Sequence, residues 1–147
     1  MNRLHSIIGG RDVFAINANW TVLEAARYMA DKHVGAAAVL NGGRVVGVFS
    51  ERDLMTRVVV TGRSAANTLV SEVMTRDIVV GYPNDTEEEA MRKMQQAKCR
   101  HLPVIQDDVL LGFISMRDLL QVEIEERNQE IKLMNEYLHS TPAIAWQ

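Results

Sequence analysis

The sequence predicts an α/β fold: two tandem β-α-β-β-α units packed with pseudo-two-fold symmetry, followed by a C-terminal helix. Three observations predict it. A stretch of 44 residues recurs at a constant offset of 65, each copy carries a helix-capping signature at the same point, and the composition is that of a globular chain. The 147 residues are 47% hydrophobic and 24% charged, with 9 Gly, 3 Pro and one Cys. Such fractions exclude disordered, collagen-like and disulfide-stapled classes.

VVGVFSERDL at 45–54 falls on LLGFISMRDL at 110–119, and residues 11–54 align with 76–119 without a gap, 14 of the 44 positions being identical. That identity marks a duplication. Two copies do not make a solenoid, and each is too small to bury its own apolar face, so the copies are expected to pack on each other.

Each element follows in order. Val13–Ile16 and Ile78–Val80 are short apolar stretches that read as strands. Thr21-x-x-Glu24 and Thr86-x-x-Glu89 are capping boxes, the Thr hydroxyl accepting from a free backbone N–H while the Glu reaches back. The helices they open show an apolar stripe of Leu23, Ala26, Met29 and Ala30 in one copy, and of Ala90, Met91, Met94 and Ala97 in the other. Two strands then meet at a tight polar turn. Val34–Leu40 passes through Asn41-Gly42-Gly43 into Val45–Phe49, and His101–Ile105 through Gln106-Asp107-Asp108 into Val109–Ile114. A second helix starts at Ser50 and again at Ser115. The expected division is repeat 1 over 11–62, repeat 2 over 74–122 and an amphipathic helix over 123–140, with the polar stretch Thr61–Ser71 as linker. Pro142 is expected to end that helix, and the tail AIAWQ is unassigned.

Function classes narrow quickly. A net charge of −3 offers no basic face for nucleic acid. No apolar run is long enough to span a bilayer, and MNRLHSIIGG lacks an apolar core followed by a cleavage site, so a cytoplasmic protein is expected. His5, His33 and His139 are scattered and Cys99 is alone, so no metal is expected. Cys99 aligns with Val34 and reads as a small core residue; Trp20 reads as a packing contact at the helix entry. No Ser-His-Asp set, Walker loop or dinucleotide glycine fingerprint is present, so no enzymatic activity is expected.

The motif Gly-h-h-Ser-x-x-Asp-Leu closes each unit, at 47–54 and 112–119, and Arg100-His101-Leu102-Pro103-Val104 precedes a middle strand. Together these resemble the CBS domain family, and the tandem over about 11–122 resembles a Bateman module. The resemblance implies CBS-type repeats that regulate rather than catalyse, with clefts for adenosyl ligands: AMP, ADP, ATP, NAD(H) or S-adenosylmethionine. It implies that Asp53 and Asp118 hold ribose hydroxyls, that Ser50 and Ser115 lie by the phosphate, and that Arg100 and His101 reach it. Arg52 and Arg117, inside the motifs, either add cations or form ion pairs across a dimer. AMP leads because one phosphate needs few cations; NAD(H) follows.

The chemistry of these residues agrees. An ionised carboxylate accepts two hydrogen bonds, which suits paired ribose hydroxyls. A Ser at a helix N-terminus favours an anionic oxygen, Arg100 presents a planar fork to phosphate, and His101 adds a pH-dependent donor. The plainer reading stays open: Ser-x-x-Asp is also an ordinary helix cap, and Arg100 and His101 are also ordinary strand-end residues. It makes the chain a structural homodimeric interaction module with vestigial nucleotide sites. The copies differ too, since Gly35 and Ala36 stand where the second copy has Arg100 and His101, and Ala18 stands opposite Pro83. Finally, Ile124, Ile131, Met134 and Leu138 recur at roughly heptad spacing, which suits pairing with a second copy of the chain. The expected partners are therefore an adenosyl ligand, a homodimeric mate and an effector protein that the sequence does not identify.

Overall fold

A computed structural model describes residues 2–9 and 11–140; Pro142 and the tail 143–147 lie outside the described residues. The elements run α1 (Leu4–Ile8), β1 (Ala15–Asn17), α2 (Val22–Lys32), β2 (Ala36–Asn41), β3 (Arg44–Ser50), α3 (Glu51–Asp53) continued by a π-helix (Leu54–Val59), α4 (Val70–Val73), α5 (Glu87–Ala97), β4 (His101–Gln106), β5 (Val109–Ser115) and α6 (Met116–Ser140). Two β-α-β-β-α repeats are thus present, except that one expected strand is reduced to a single bridge.

That strand is Ile78–Val80. In repeat 1, β1 pairs parallel with β2, Ile16 opposite Val39, and Ala18 N–H extends the ladder to Leu40 O at 2.9 Å. In repeat 2 only Gly81 bridges Val104. The residue aligned with Ala18 is Pro83 and the one aligned with Ala38 is Pro103; neither has an N–H to donate, so the ladder stops on both sides of Gly81. The hairpins agree with expectation. β2–β3 and β4–β5 are antiparallel with the same irregularity at Val39/Leu40 and Val104/Ile105. Their turns need two consecutive positive φ angles, supplied by Gly42 and Gly43 in one copy and by Asp107 and Asp108 in the other.

The helix caps form with one difference. Thr86 and Glu89 make the full reciprocal box. At Thr21 the hydroxyl accepts from Glu24 N–H and is held by the Glu24 carboxylate, which does not reach back to the backbone. The buried stripe of α2 is Val22, Ala25 and Met29; Leu23 and Ala26 are half-buried, and Ala30 is exposed, as is Ala97 on α5. The face is rotated because the segment before α4 lies against Val22, whose N–H donates to Thr68 O at 2.8 Å.

Two apolar cores result, and they exchange arms. Leu4 and Ile8 of α1 are buried in the core of repeat 2, with Ala90, Met94 and Leu102. Val70 and Val73 of α4, with Met74, are buried in the core of repeat 1 among Val22, Val39 and Phe49. Burying each such aliphatic is worth roughly 1.5–3 kcal/mol, so the stretch leading into each repeat fastens the other one. The motif glycines make room for these arms. A Cβ on Gly47 would stand 2.8 Å from Met74 Sδ and 2.8 Å from Thr75 O; one on Gly112 would stand 3.2 Å from Ile8 Cδ1. Trp20 packs edge-on against Tyr28 at 5.6 Å, as a core contact.

The last helices of the two repeats diverge. After Asp53 the chain widens into a π-helix, whereas after Asp118 it continues as one α-helix to Ser140. Beyond Glu126 every described residue of α6 is exposed, so this helix does not fold back on its own repeats.

Candidate functional site

Ser50 ends β3 and caps α3. Its hydroxyl accepts from Asp53 N–H at 3.2 Å, and Asp53 Oδ2 accepts from Ser50 N–H at 3.0 Å. Ser115 and Asp118 repeat this geometry at 3.0 and 2.8 Å. The cap is therefore real in both copies, and it uses one oxygen of each carboxylate. The sequence left open whether anything else acts at these residues; their surroundings bear on that.

Around Asp53 the chain builds a cleft of about 640 Å³. Its walls come from both repeats: the β3–α3 corner, the start of β2 at Gly35 and Ala36, the end of α5 with Lys98 to His101, and the inter-repeat strip Thr75 to Val79. Five of the eight sequence-selected residues, Ser50, Arg52, Asp53, Arg100 and His101, line it. The αL conformation of Lys98 ends α5 and turns the chain toward the cleft. Val48, Ile78, Val79 and Pro103 supply an apolar surface.

Several lining residues escaped the sequence reading. Thr75 donates its hydroxyl to Asp53 Oδ1 at 3.2 Å, tying the strip between the repeats to the first motif. Arg57, one turn into the π-helix, donates to Met74 O at 2.9 Å and lies 3.7 Å from Asp53 Oδ1. Lys98 adds a cation and Asp77 an anion. Only the aligned positions 11/76 and 12/77 carried any signal for this strip, because those residues are identical in both copies.

His101 is half-buried, its ring 5.8 Å from that of Phe113. Burial pushes its pKa below the usual histidine value and Arg100 adds to this, while Asp118 and Glu51 pull the other way. Cys99 lines the cleft as well as packing on the repeat 2 core, and burial pushes its thiol up, toward the inert neutral form.

The second motif is placed differently. Asp118 faces a depression of about 510 Å³ between α1 and α6, which Glu125 and Glu126 also line and where Arg11 is the one cation among the described lining residues. Arg11 Nη1 is 2.9 Å from Asp118 Oδ2. Burial acts to raise the Asp118 pKa, but the Ser115 N–H and the Arg11 guanidinium outweigh it and hold the carboxyl below its ordinary range. Ser115 and the exposed Arg117 line neither cavity.

The lining of the first cleft suits a small molecule that combines an anionic group, hydroxyls and an apolar face. The volume is that of a small-molecule site, Arg52, Arg57, Lys98 and Arg100 surround it, and an apolar wall faces a carboxylate whose two oxygens offer about four acceptor positions. The depression at Asp118 does not suit such a molecule: carboxylates dominate it and its cation is already paired. Among the described residues no group of three His, Cys, Asp or Glu is placed to hold a metal ion. No described helix is long and apolar enough to cross a membrane.

Comparison with known proteins agrees with the geometry. The sequence matches the family described as CBS domain over residues 8–60 and 70–125. It is 31% identical over 123 residues to the mitochondrial CBS domain-containing protein CBSX3 of Arabidopsis thaliana, covering 80% of this chain but 60% of that one. A CBS-domain containing protein from Agrobacterium tumefaciens superimposes with a TM-score of 0.76 at 30% identity, over 83% of this chain and 99% of that one. The CBS domain pair of protein MJ0100, solved with 5′-methylthioadenosine and S-adenosyl-L-methionine, shares the fold at a TM-score of 0.76 and 16% identity, over 86% and 98% of the two chains.

Proposed function

The chain belongs to the CBS domain family, and from that premise we propose that it is a non-catalytic sensor binding one adenine nucleotide per chain in the cleft at Asp53. The observation that carries this reading is the convergence of Ser50, Arg52, Asp53, Arg100 and His101 on one cleft with an apolar wall. AMP is the leading ligand, with NAD(H) next; the adenosyl compounds bound by the MJ0100 pair support the ligand class.

Each residue has a role in this reading. Asp53 would accept the ribose hydroxyls on Oδ1, sharing that oxygen with Thr75 or displacing it. Arg100 and His101, with Ser50 at the helix N-terminus, would hold the phosphoryl oxygens. Val48, Val79 and Pro103 would flank the base. Since the lining joins β3, α5 and the strip 75–79, a bound nucleotide would tie both repeats together. It would stiffen the cleft and change the surface offered to an effector.

One observation favours the second reading, a structural module with vestigial sites. The Asp53 side chain is only 10% exposed and already accepts from Ser50 and Thr75. Mass spectrometry of the small molecules released on denaturing the full chain, purified from cells, separates the two. An adenosyl compound at near one equivalent supports the sensor; an empty protein that also fails to retain added AMP, ATP, NAD or S-adenosylmethionine supports the module.

A further inference from the structure

From residue 127 to 140 every residue of α6 is exposed, with Gln129 bordering a depression against α1 and Arg127 and Glu130 one against α5. A helix of that length, about 20 Å, is marginal in water unless something packs on it. Five of its exposed large apolar residues fall on one line, with Leu133 and Tyr137 off it. Ile124, Ile131 and Leu138 recur every seven residues with Leu120 and Met134 between them, and these five are 46–64% exposed. The intermediate position of the central heptad is Arg127, which reaches Glu123 on its own helix at 3.2 Å.

We propose that a second copy of this chain covers this stripe, with the two α6 helices antiparallel about a two-fold axis near Gln129. The direction follows from the one charged residue in the seam. A parallel, in-register pair would set Arg127 against the partner's Arg127, like charge on like charge. An antiparallel pair sets Leu120 against the partner's Leu138, Ile124 against its Met134, and Arg127 against its Ile131. Arg127 then lies beside the partner's Glu130, on the same flank of the seam. Two arginines and two glutamates meet at the axis and neutralise one another, and the interface is self-complementary as a two-fold axis requires. Leu120 and Ile124 remain open where α6 leaves the body, so the stripe is continuous from there to the helix end.

Sedimentation velocity on the full chain tests this. The wild type should sediment at twice 16.5 kDa, and Ile131→Glu should sediment as a monomer whose circular dichroism loses at most the helical signal of the free end of α6. Arg127→Glu should raise the dissociation constant at least about tenfold, and adding Glu130→Arg to it should restore the dimer. That reciprocal rescue belongs to the antiparallel arrangement, since in a parallel pair Arg127→Glu only exchanges one like-charge contact for another. A monomeric wild type, a dimer that survives Ile131→Glu, or an Arg127→Glu variant as tight as wild type would each overturn the proposal.

Discussion

Arg11 occupies the Asp118 carboxylate at 2.9 Å, while its duplicate, Arg76, turns away from Asp53 and donates to Ser71 O at 2.7 Å. One basic position, copied by duplication, closes one motif and spares the other. Thr75 takes the place of Arg11 beside Asp53 with a neutral hydroxyl, and the guanidinium nearest Asp53 is that of Arg57 on its own helix, at a looser 3.7 Å. The asymmetry of the two sites therefore resides in the strips that lead into each repeat, not in the motifs, which are alike.

Arg11→Ala should let the Asp118 carboxyl titrate nearer the ordinary aspartate range, observable by NMR. A depressed carboxyl contributes stability that is present above its unfolded value and lost as pH falls through its folded value. With the depression reduced, that contribution shrinks, and the acid unfolding midpoint should move to higher pH. At neutral pH the half-exposed pair is worth about 1 kcal/mol or less. An unchanged Asp118 titration would show that the ion pair does not form in solution.

Asp53→Ala should cost about 1 kcal/mol for the cap and, in the sensor reading, at least tenfold in AMP affinity, about 1.4 kcal/mol. Thr75→Val should leave the cap intact and cost roughly 0.5–1.5 kcal/mol for its hydrogen bond. Urea unfolding read beside titration calorimetry checks both. If Asp53→Ala alters stability and leaves AMP binding as it was, the carboxylate is a cap and nothing more.

His101 gives the site a pH signature. Burial holds its folded pKa below 6.5, so the unfolded chain takes up the proton first and stability falls as pH drops below that value. A phosphoryl group beside the ring favours the protonated form, so AMP binding near pH 6 should take up protons. Calorimetry in buffers of different ionisation enthalpy measures the uptake, and His101→Gln should remove the imidazole's share while leaving that of the AMP phosphate itself. Equal uptake in both proteins would place His101 away from the phosphate.

The motif glycines should respond unequally to alanine. At Gly47 the added methyl meets the Thr75 carbonyl at 2.8 Å, where backbone must move, whereas at Gly112 it meets only the Ile8 side chain at 3.2 Å. Gly47→Ala should cost about 1–3 kcal/mol and weaken AMP binding by displacing Thr75; Gly112→Ala should cost clearly less. Equal urea midpoints for the two variants would contradict the arm exchange described above.

The fold was largely legible because duplication printed its elements twice. Both hairpins, the cap residues and the Ser50–Asp53 and Ser115–Asp118 pairs stand where the pattern put them. The strand at Ile78–Val80 was misread since its apolar character was right while Pro103, aligned with Ala38, withholds the donor on that side of Gly81 and Pro83 withholds the one beyond it. The arms were invisible for a different reason. Leu4 and Ile8 sit in a short segment with too few turns for periodicity, and the buried residues of repeat 2 that cover them begin at Ala90, more than 80 residues away. Thr75, Arg57 and Lys98 reach the cleft through tertiary contacts alone, and no local spacing announces them. Nor could the aligned Arg11 and Arg76 reveal that identical residues choose different partners.

Titration calorimetry of nucleotide-stripped full chain with AMP tests the central claim most directly. One equivalent per chain is expected, lost in Arg100→Ala and kept in Asp118→Ala. No heat with AMP, ATP, NAD or S-adenosylmethionine, or binding abolished by Asp118→Ala and indifferent to Arg100→Ala, would contradict it.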